Sequence, residues 1–391
     1  MPWKESHTMD ERVRFISRLI DGERMVDLCM EFGISRKTGY KIWERYQRIG
    51  LTGLADGSRR PLRIPHRTTN EIERLVLNLR CMRPTWGPKK LKVKLDELHP
   101  GLKFPAASTI GDLLDRNGLV KPRDKRKGRF YPTELTNSSN PNDLWCVDFK
   151  GQFRLGNRAY CYPLTVTDHC SRYLLGCESL ENTKEIGARP AFESVFDKYG
   201  LPDAIRSDNG APFASRGLFG LSKLSVWWVK LGIRIEHIEP GCPQQNGRHE
   251  RMHLTLKQET TRPPAANHLQ QQERFDEFGR VFNNERPHEA LEMKTPVSIY
   301  RPSNKTFSDG PLEYPTHDAV RTVDMSGTIK LWKQRSCFLG RAFTGEKVGL
   351  RQLGSTSWLV TFAKLDLGYI DSQTEKFSVE NPMTKSKETQ P

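Results

Sequence analysis

The apolar pattern of this 391-residue chain changes period twice, and those changes limit its possible folds more than any single motif does. Up to about residue 120 the apolar residues recur at helical spacing. From about 140, short apolar runs alternate with helical stretches, the signature of mixed α/β structure. After Pro302 only short runs broken by glycine remain, as in a small β domain. A chain of this length holds two to four domains with ample core. The pattern predicts a multidomain protein: an all-α front, an α/β centre and a small β-barrel at the end.

Within the front, Val13, Phe15, Ile16, Leu19 and Ile20 mark a first helix, and Leu28, Cys29 and Phe32 a second that stops at Gly33. Ser35 is a good N-cap for a third helix running to about Tyr46. This is the helix-turn-helix layout, with small Cys29 at the helix crossing, Gly33 in the turn, and Ile34 and Ile42 as anchors. Gly39 stands where an apolar packing residue is more usual. The third helix would present Ser35, Arg36, Lys37, Lys41 and Arg45 to a major groove and its phosphates. Residues 1–50 are therefore expected to bind DNA; the competing reading is a basic three-helix bundle with a protein partner. Residues 51–67 form a basic linker in which Arg59 and Arg60 could follow a DNA backbone or minor groove. A second helical unit, 68–122, contains Trp86-Gly87-Pro88-Lys89-Lys90, with Pro88 suited to a first helical turn and Lys89 and Lys90 expected on phosphates. Residues 123–137 form a basic hinge in which Lys125, Arg126 and Lys127 are expected to touch DNA.

Charge agrees with that placement. The formal net charge is +15, and residues 1–135 contribute +12 of it, with 29 Lys+Arg against 17 Asp+Glu. A basic front before a near-neutral remainder suits a nucleic-acid docking region upstream of a catalytic body. The eight cysteines are scattered without a Cys-x-x-Cys pair and read as reduced, buried small hydrophobes. No membrane span or signal-peptide core is expected, so the predicted location is the cytoplasm, at the nucleoid.

The chemistry is expected from three carboxylates in three unlike pieces of chain. Asp148 closes the apolar run Leu144-Trp145-Cys146-Val147-Asp148-Phe149. Asp208 follows Ala204-Ile205-Arg206-Ser207 and precedes Asn209-Gly210, a turn signal. Glu250 lies where a loop, Pro243 to Gly247, enters a helix. Two acids at strand ends and one on a helix can converge above a sheet edge. Such a cluster is unfavourable unless protons or cations compensate it, and hard Mg²⁺ or Mn²⁺ does so in phosphoryl transfer. On the helix, His253 and Lys257 follow Glu250 at i+3 and i+7, and Asn246 lies one turn upstream, so all three are expected to meet the same DNA strand. Met252 and Leu256 would form the packed face. Asp168 is expected to fix a turn beside Arg172, outside the site. Singly, each acid is better explained as a solvent-facing strand end, an Asx turn or a helix-surface glutamate; their order and neighbours favour the site.

These motifs, together with Thr167-Asp168-His169-Cys170-Ser171-Arg172-Tyr173 and Phe282-Asn283-Asn284-Glu285-Arg286-Pro287-His288-Glu289-Ala290-Leu291, resemble the insertion-sequence transposases of the DDE type, whose core is that of retroviral integrases. They occur in the family's order over about the middle half of the chain. The interval from Asp208 to Glu250, 42 positions, is longer than the family's commonest one. The resemblance implies an RNase-H-like integrase core over 138–303, a second helix-turn-helix in 68–122 and a β-barrel over 316–380; the polar composition of 381–391 predicts a disordered tail. It implies catalytic, metal-holding roles for Asp148, Asp208 and Glu250, with two Mg²⁺ or Mn²⁺ ions. It further implies double-stranded DNA partners, the element's terminal repeats and the target, and a homodimer or larger synaptic assembly. Cleavage would be followed by strand transfer; the alternatives are a DNA-binding regulator without catalysis and a metal-dependent nuclease that does not join strands.

Overall fold

Helix α1 (Thr8–Ile20), α2 (Met25–Glu31) and α3 (Arg36–Ile49), closed by a 3-10 turn at Gly50–Leu54, form a small bundle around Phe15, Ile16, Leu28, Cys29 and Leu54. The computed structural model describes residues 8–56, 68–120, 138–239, 243–332, 336–374 and 376–379, and divides into two units, 1–68 and 69–391. Gly33 takes φ +63° in the turn between α2 and α3, and the Ser35 hydroxyl accepts the Thr38 amide at 3.1 Å, capping α3. A Cβ on Gly39 would stand 2.6 Å from Cys29 Sγ and 2.8 Å from Met25 Sδ. The glycine that looked out of place in the sequence is thus what lets α3 cross α2.

The second unit begins with α4 (Asn70–Met82), α5 (Pro88–Leu98) and α6 (Ala107–Arg116). Pro88 occupies the first turn of α5, where its missing N–H costs nothing. The bundle closes on Val76, Trp86, Leu91, Leu95, Ile110 and Leu114, and its core takes in Val281 from far along the chain.

Strands β1 (Trp145–Phe149), β2 (Phe153–Arg154), β3 (Tyr160–Asp168), β4 (Leu174–Leu180), β5 (Ala204–Ser207) and β6 (Arg234–His237) build one mixed sheet. β3 pairs antiparallel with β4 on one side and with β1 and β2 on the other; β1, β5 and β6 run parallel. This is the meander-then-crossover order expected of an RNase-H-like core. Helices α7 (Glu185–Tyr199) and α8 (Lys223–Lys230) cover one face through Phe192, Phe196, Trp227 and Trp228. The other face is covered by α9 (Gly247–Thr260) and α10 (His268–Asn284) through Met252, Leu256, Phe275 and Phe278. A short helix, α11 (Pro296–Ile299), follows. A 3-10 turn at Leu218–Gly220 precedes α8, which starts separately because Ser222 and Ser225 form a reciprocal capping box.

The C-terminal region is sheet-rich, as the Gly-broken runs predict, but the sheet does not close into a barrel. Strands β7 (Ala319–Thr322), β8 (Thr328–Lys330), β9 (Ser336–Phe338), β10 (Lys347–Gln352), β11 (Ser357–Phe362), β12 (Leu365–Asp371) and β13 (Phe377–Ser378) give a five-stranded sheet, β13-β12-β11-β10-β7, and a separate β8-β9 hairpin. Closure is unnecessary because the hairpin residues Ile329 and Cys337, together with Leu221 and Val226 beside and on α8, share the core of Val348, Leu350, Val360 and Ile370. No helix among the described residues is long and apolar enough to cross a membrane.

Candidate active site

β1 and β5 lie side by side and parallel, pairing Trp145 with Ile205 and Cys146 with Arg206. Asp148 is three residues beyond Trp145, and Asp208 is three beyond Ile205, so the two carboxylates occupy the same level at the C-terminal ends of neighbouring strands. The Asp208 carboxylate is set by its own turn: Oδ1 accepts the Gly210 amide at 3.1 Å, while the Asn209 side-chain amide donates to the Ile238 carbonyl at 2.6 Å. The Asp148 carboxyl is pushed up to about 7, first by burial, then by the charge of Asp208, with Glu250 adding to it. A buried carboxyl whose ionisation two neighbouring acids oppose meets the electrostatic condition that a divalent cation relieves, and all six oxygens of Asp148, Asp208 and Glu250 are hard donors. Glu250 itself is exposed on α9. Among the described residues no group of three or more His, Cys, Asp or Glu side chains stands close enough together to hold a metal ion.

Behind Asp148 lies a polar cluster the sequence did not predict. The Thr165 hydroxyl donates to the Asp148 carbonyl at 3.0 Å and meets His249 Nε2 at 2.7 Å and His253 Nε2 at 2.6 Å. Burial drives His249 down to about 3 and His253 lower still, so both rings are neutral. In one consistent assignment both Nε2–H groups donate to Thr165 and the Thr167 hydroxyl donates to His249 Nδ1 at 2.8 Å, which leaves His253 Nδ1 without a proton, 3.6 Å from Asp148 Oδ2 and outside hydrogen-bond range. His249-Glu250-Arg251-Met252-His253 has the H-E-x-x-H spacing of zinc-binding helices. Here the two imidazoles converge on a threonine hydroxyl in the interior, at 1% and 5% exposure, rather than on an open site. That spacing is the signal that would have shown the two histidines sharing a face. The expected contact of His253 with DNA is corrected accordingly: its ring is buried and occupied by Thr165 and Asp148.

The remaining predicted residues fall in different places. Lys257 is exposed on α9, and its charge, after burial, lowers the basicity of Lys150, which immediately follows the β1 end and was not predicted. Asn246 is buried at the start of α9, and its Oδ1 has no partner among the described residues. Asp168 fixes its turn, accepting the Asn142 amide at 2.7 Å and the Ser171 amide and hydroxyl at 2.7 and 2.6 Å.

On α3, Arg36, Lys37 and Lys41 are exposed and make no ion pair among the described residues; Tyr40 stands exposed between them. Ser35 is spent on its cap, and the Arg45 guanidinium donates to the Ala55 carbonyl. Lys89 pairs with Glu289 at 3.3 Å, and Lys90 is pushed down to about 8 by burial and by Arg286. Arg59, Arg60, Lys125, Arg126 and Lys127 lie outside the described residues.

Comparison with known proteins gives matches along most of the chain. Models described as integrase core domain match residues 138–243 and 231–296. A helix-turn-helix domain matches 11–61, a homeodomain-like domain 38–114, and the C-terminal domain of the IS481 family of transposases 318–378. An uncharacterized 39.2 kDa protein of insertion element IS476 from Xanthomonas euvesicatoria is 29% identical over 64% of this chain and 70% of its own length. The Gag-Pol polyprotein of baboon endogenous virus is 31% identical over 45% of this chain, which spans 10% of that polyprotein. Among solved structures, a chain of the simian T-cell lymphotropic virus intasome in complex with PP2A regulatory subunit B56 gamma is 15% identical, covering 74% of this chain and 97% of that one with TM-score 0.38. The HTLV-2 integrase catalytic core with magnesium is 14% identical, covering 42% and 100% with TM-score 0.32.

Proposed function

Since the chain joins helix-turn-helix domains, an integrase core and an IS481-family C-terminal domain, as insertion-sequence transposases do, we propose that it binds the ends of such an element, cleaves there and transfers the strand into target DNA. The observation that carries this reading is the pair Asp148 and Asp208 at one level on adjacent parallel strands, with the Asp148 carboxyl raised to about 7 by burial and its acidic neighbours.

Asp148, Asp208 and Glu250 would hold Mg²⁺ or Mn²⁺, two ions in this proposal, which when bound neutralise charge at the phosphate and make an oxygen nucleophile available. The chain's own residues do the rest. Thr165 fixes the backbone of Asp148 from behind, with the buried His253 ring packed beside its carboxyl, the Gly210 amide fixes Asp208, and Lys257 with Lys150 offers positive charge where a phosphate must approach. The partners would be double-stranded DNA at the element ends and in the target, handled by a dimer or larger assembly at the nucleoid.

The test is DNA carrying the true element ends with the purified protein and a divalent cation. Joined products are expected, and EDTA should abolish them. Asp148→Asn, Asp208→Asn and Glu250→Gln should each reduce cleavage and joining to background while leaving end binding intact. Binding without cleavage in any metal would mean a regulator, and nicking without joining a plain nuclease; substantial joining by any of the three variants would remove that residue from the site.

A further inference from the structure

Helix α9 is held at two places that face opposite ways. Glu250 lies near its start, and Glu259 lies in its last turn, about 13 Å along the axis and half a turn round it. Between them the inner side is fixed: His249 and His253 meet the Thr165 hydroxyl at 2.7 and 2.6 Å, and Met252 and Leu256 are buried with Phe275 and Phe278 of α10. At the far end the Glu259 carboxylate accepts Arg286 Nη1 at 2.9 Å and the Thr85 hydroxyl, while Arg286 Nη1 also donates to Thr85 Oγ1 at 3.1 Å. The three groups close a triangle with corners on three pieces of chain: the turn between α4 and α5, α9, and the segment after α10. Arg286 is buried, and Glu259 is its ion-pair partner among the described residues.

The second bundle therefore grips the helix that carries Glu250. Lys90, in the first turn of α5, feels the charge of Glu259 and also that of Arg251, the neighbour of Glu250, so the start of α5 lies alongside α9. Among the described residues, the bundle's apolar core takes in Val281 alone from the α/β domain; the other contacts are ionic, Arg83 with Glu285 at 2.7 Å and Lys89 with Glu289 at 3.3 Å. A polar junction of this kind shifts more readily than an apolar one, and the last turn of α9 must follow it.

We propose that Thr85, Glu259 and Arg286 are positioning residues that tie the seating of the second bundle to the placement of Glu250. With the middle of α9 pinned by Met252 and Leu256, a displacement of its last turn returns in the opposite sense at its first. A misplacement of about 1 Å at a reacting group costs up to about 10²-fold in rate. The inference rests on the proposed metal-dependent DNA chemistry, because that reading puts Glu250 in the site.

Two variants test it, each assayed at a temperature where thermal unfolding shows it folded. Glu259→Gln removes the charge at nearly constant shape; Thr85→Val removes the hydroxyl and keeps the ion pair. Glu259→Gln should raise the Mg²⁺ concentration for half-maximal end cleavage about fivefold, with the rate restored at saturating Mg²⁺ and end affinity within about twofold. Thr85→Val should shift the Mg²⁺ dependence in the same direction by about twofold. Amide exchange at Arg251 to Leu254 should quicken in Glu259→Gln. Metal dependence and α9 exchange both unchanged would overturn the coupling, as would a loss that tracks the folded fraction and that no Mg²⁺ concentration restores. If the unaltered protein cleaves element-end DNA in no metal, the transposase reading falls instead. Exchange then decides the coupling alone: quickening upholds the link between bundle and helix, and no change removes it.

Discussion

The two helical bundles at the front of the chain share a plan and differ in what their cations face. In the first, α3 presents Arg36, Lys37 and Lys41 outward with no ion pair among the described residues. In the second, the corresponding positive charges lie against the α/β domain. Arg83 pairs with Glu285 at 2.7 Å, Lys89 with Glu289 at 3.3 Å, and Lys90 lies near Arg286, Glu289 and Glu259. The segment Phe282 to Leu291, part of the family resemblance, is therefore the seat on which the second bundle rests. Basic residues at a helix start mark an anion site only when no other part of the chain supplies the anions.

Three experiments would break or sharpen that contrast. The largest effect is expected from Arg286→Met. Arg286 is 7% exposed and donates to Glu259 at 2.9 Å and to Thr85 at 3.1 Å, and removing it leaves a half-buried carboxylate with only the Thr85 hydroxyl and no cation. A fully buried pair broken this way costs ~3–5 kcal/mol, and the partial exposure of Glu259 brings the expectation to about 2–3. Amide exchange should quicken in α5 and α6 and stay constant in α1 to α3; equal change in both bundles would erase the distinction.

Next comes DNA binding. Arg36→Ala with Lys37→Ala should weaken end affinity at least about tenfold and reduce the salt slope by about two units, whereas Lys89→Ala should leave that slope unaltered. Equal slope losses would show that both bundles grip phosphate in the same manner. Lys90 gives the most specific effect. Its ammonium is held at about 8 rather than 10.5, so the folded protein releases this proton before the unfolded chain does. Stability should then rise as pH climbs from about 8 to 10.5, and Lys90→Met should remove that rise and stabilise the protein at neutral pH. A pH profile identical in Lys90→Met would place the lysine in water.

Much of this molecule was legible residue by residue. The Ser35 cap, the Gly33 turn, the Asp208-Asn209-Gly210 turn, the packed face of Met252 and Leu256 and the turn-fixing Asp168 all depend on atoms within a few positions of chain. So did the alternation that marks the α/β core, and with it the strand ends carrying Asp148 and Asp208. The C-terminal strands were legible one at a time, but not their failure to close, because α8 and the β8-β9 hairpin cover the face that closure would have buried.

What the amino-acid sequence determined by itself is local: caps, turns, periodicity, and the order of the acids along the chain. Which side of a helix turns inward was decided only by the tertiary structure. Helical spacing states that His249 and His253 share a face, yet their partner Thr165 is 84 and 88 positions away. It states that Lys89 and Lys90 begin a helix, while the carboxylate that takes Lys89 lies 200 positions on. Gly39 looked anomalous until Cys29 and Met25 were folded against it. A period fixes the angle between side chains on one element, and only the packing of a second element against it sets which of those angles faces protein and which faces water.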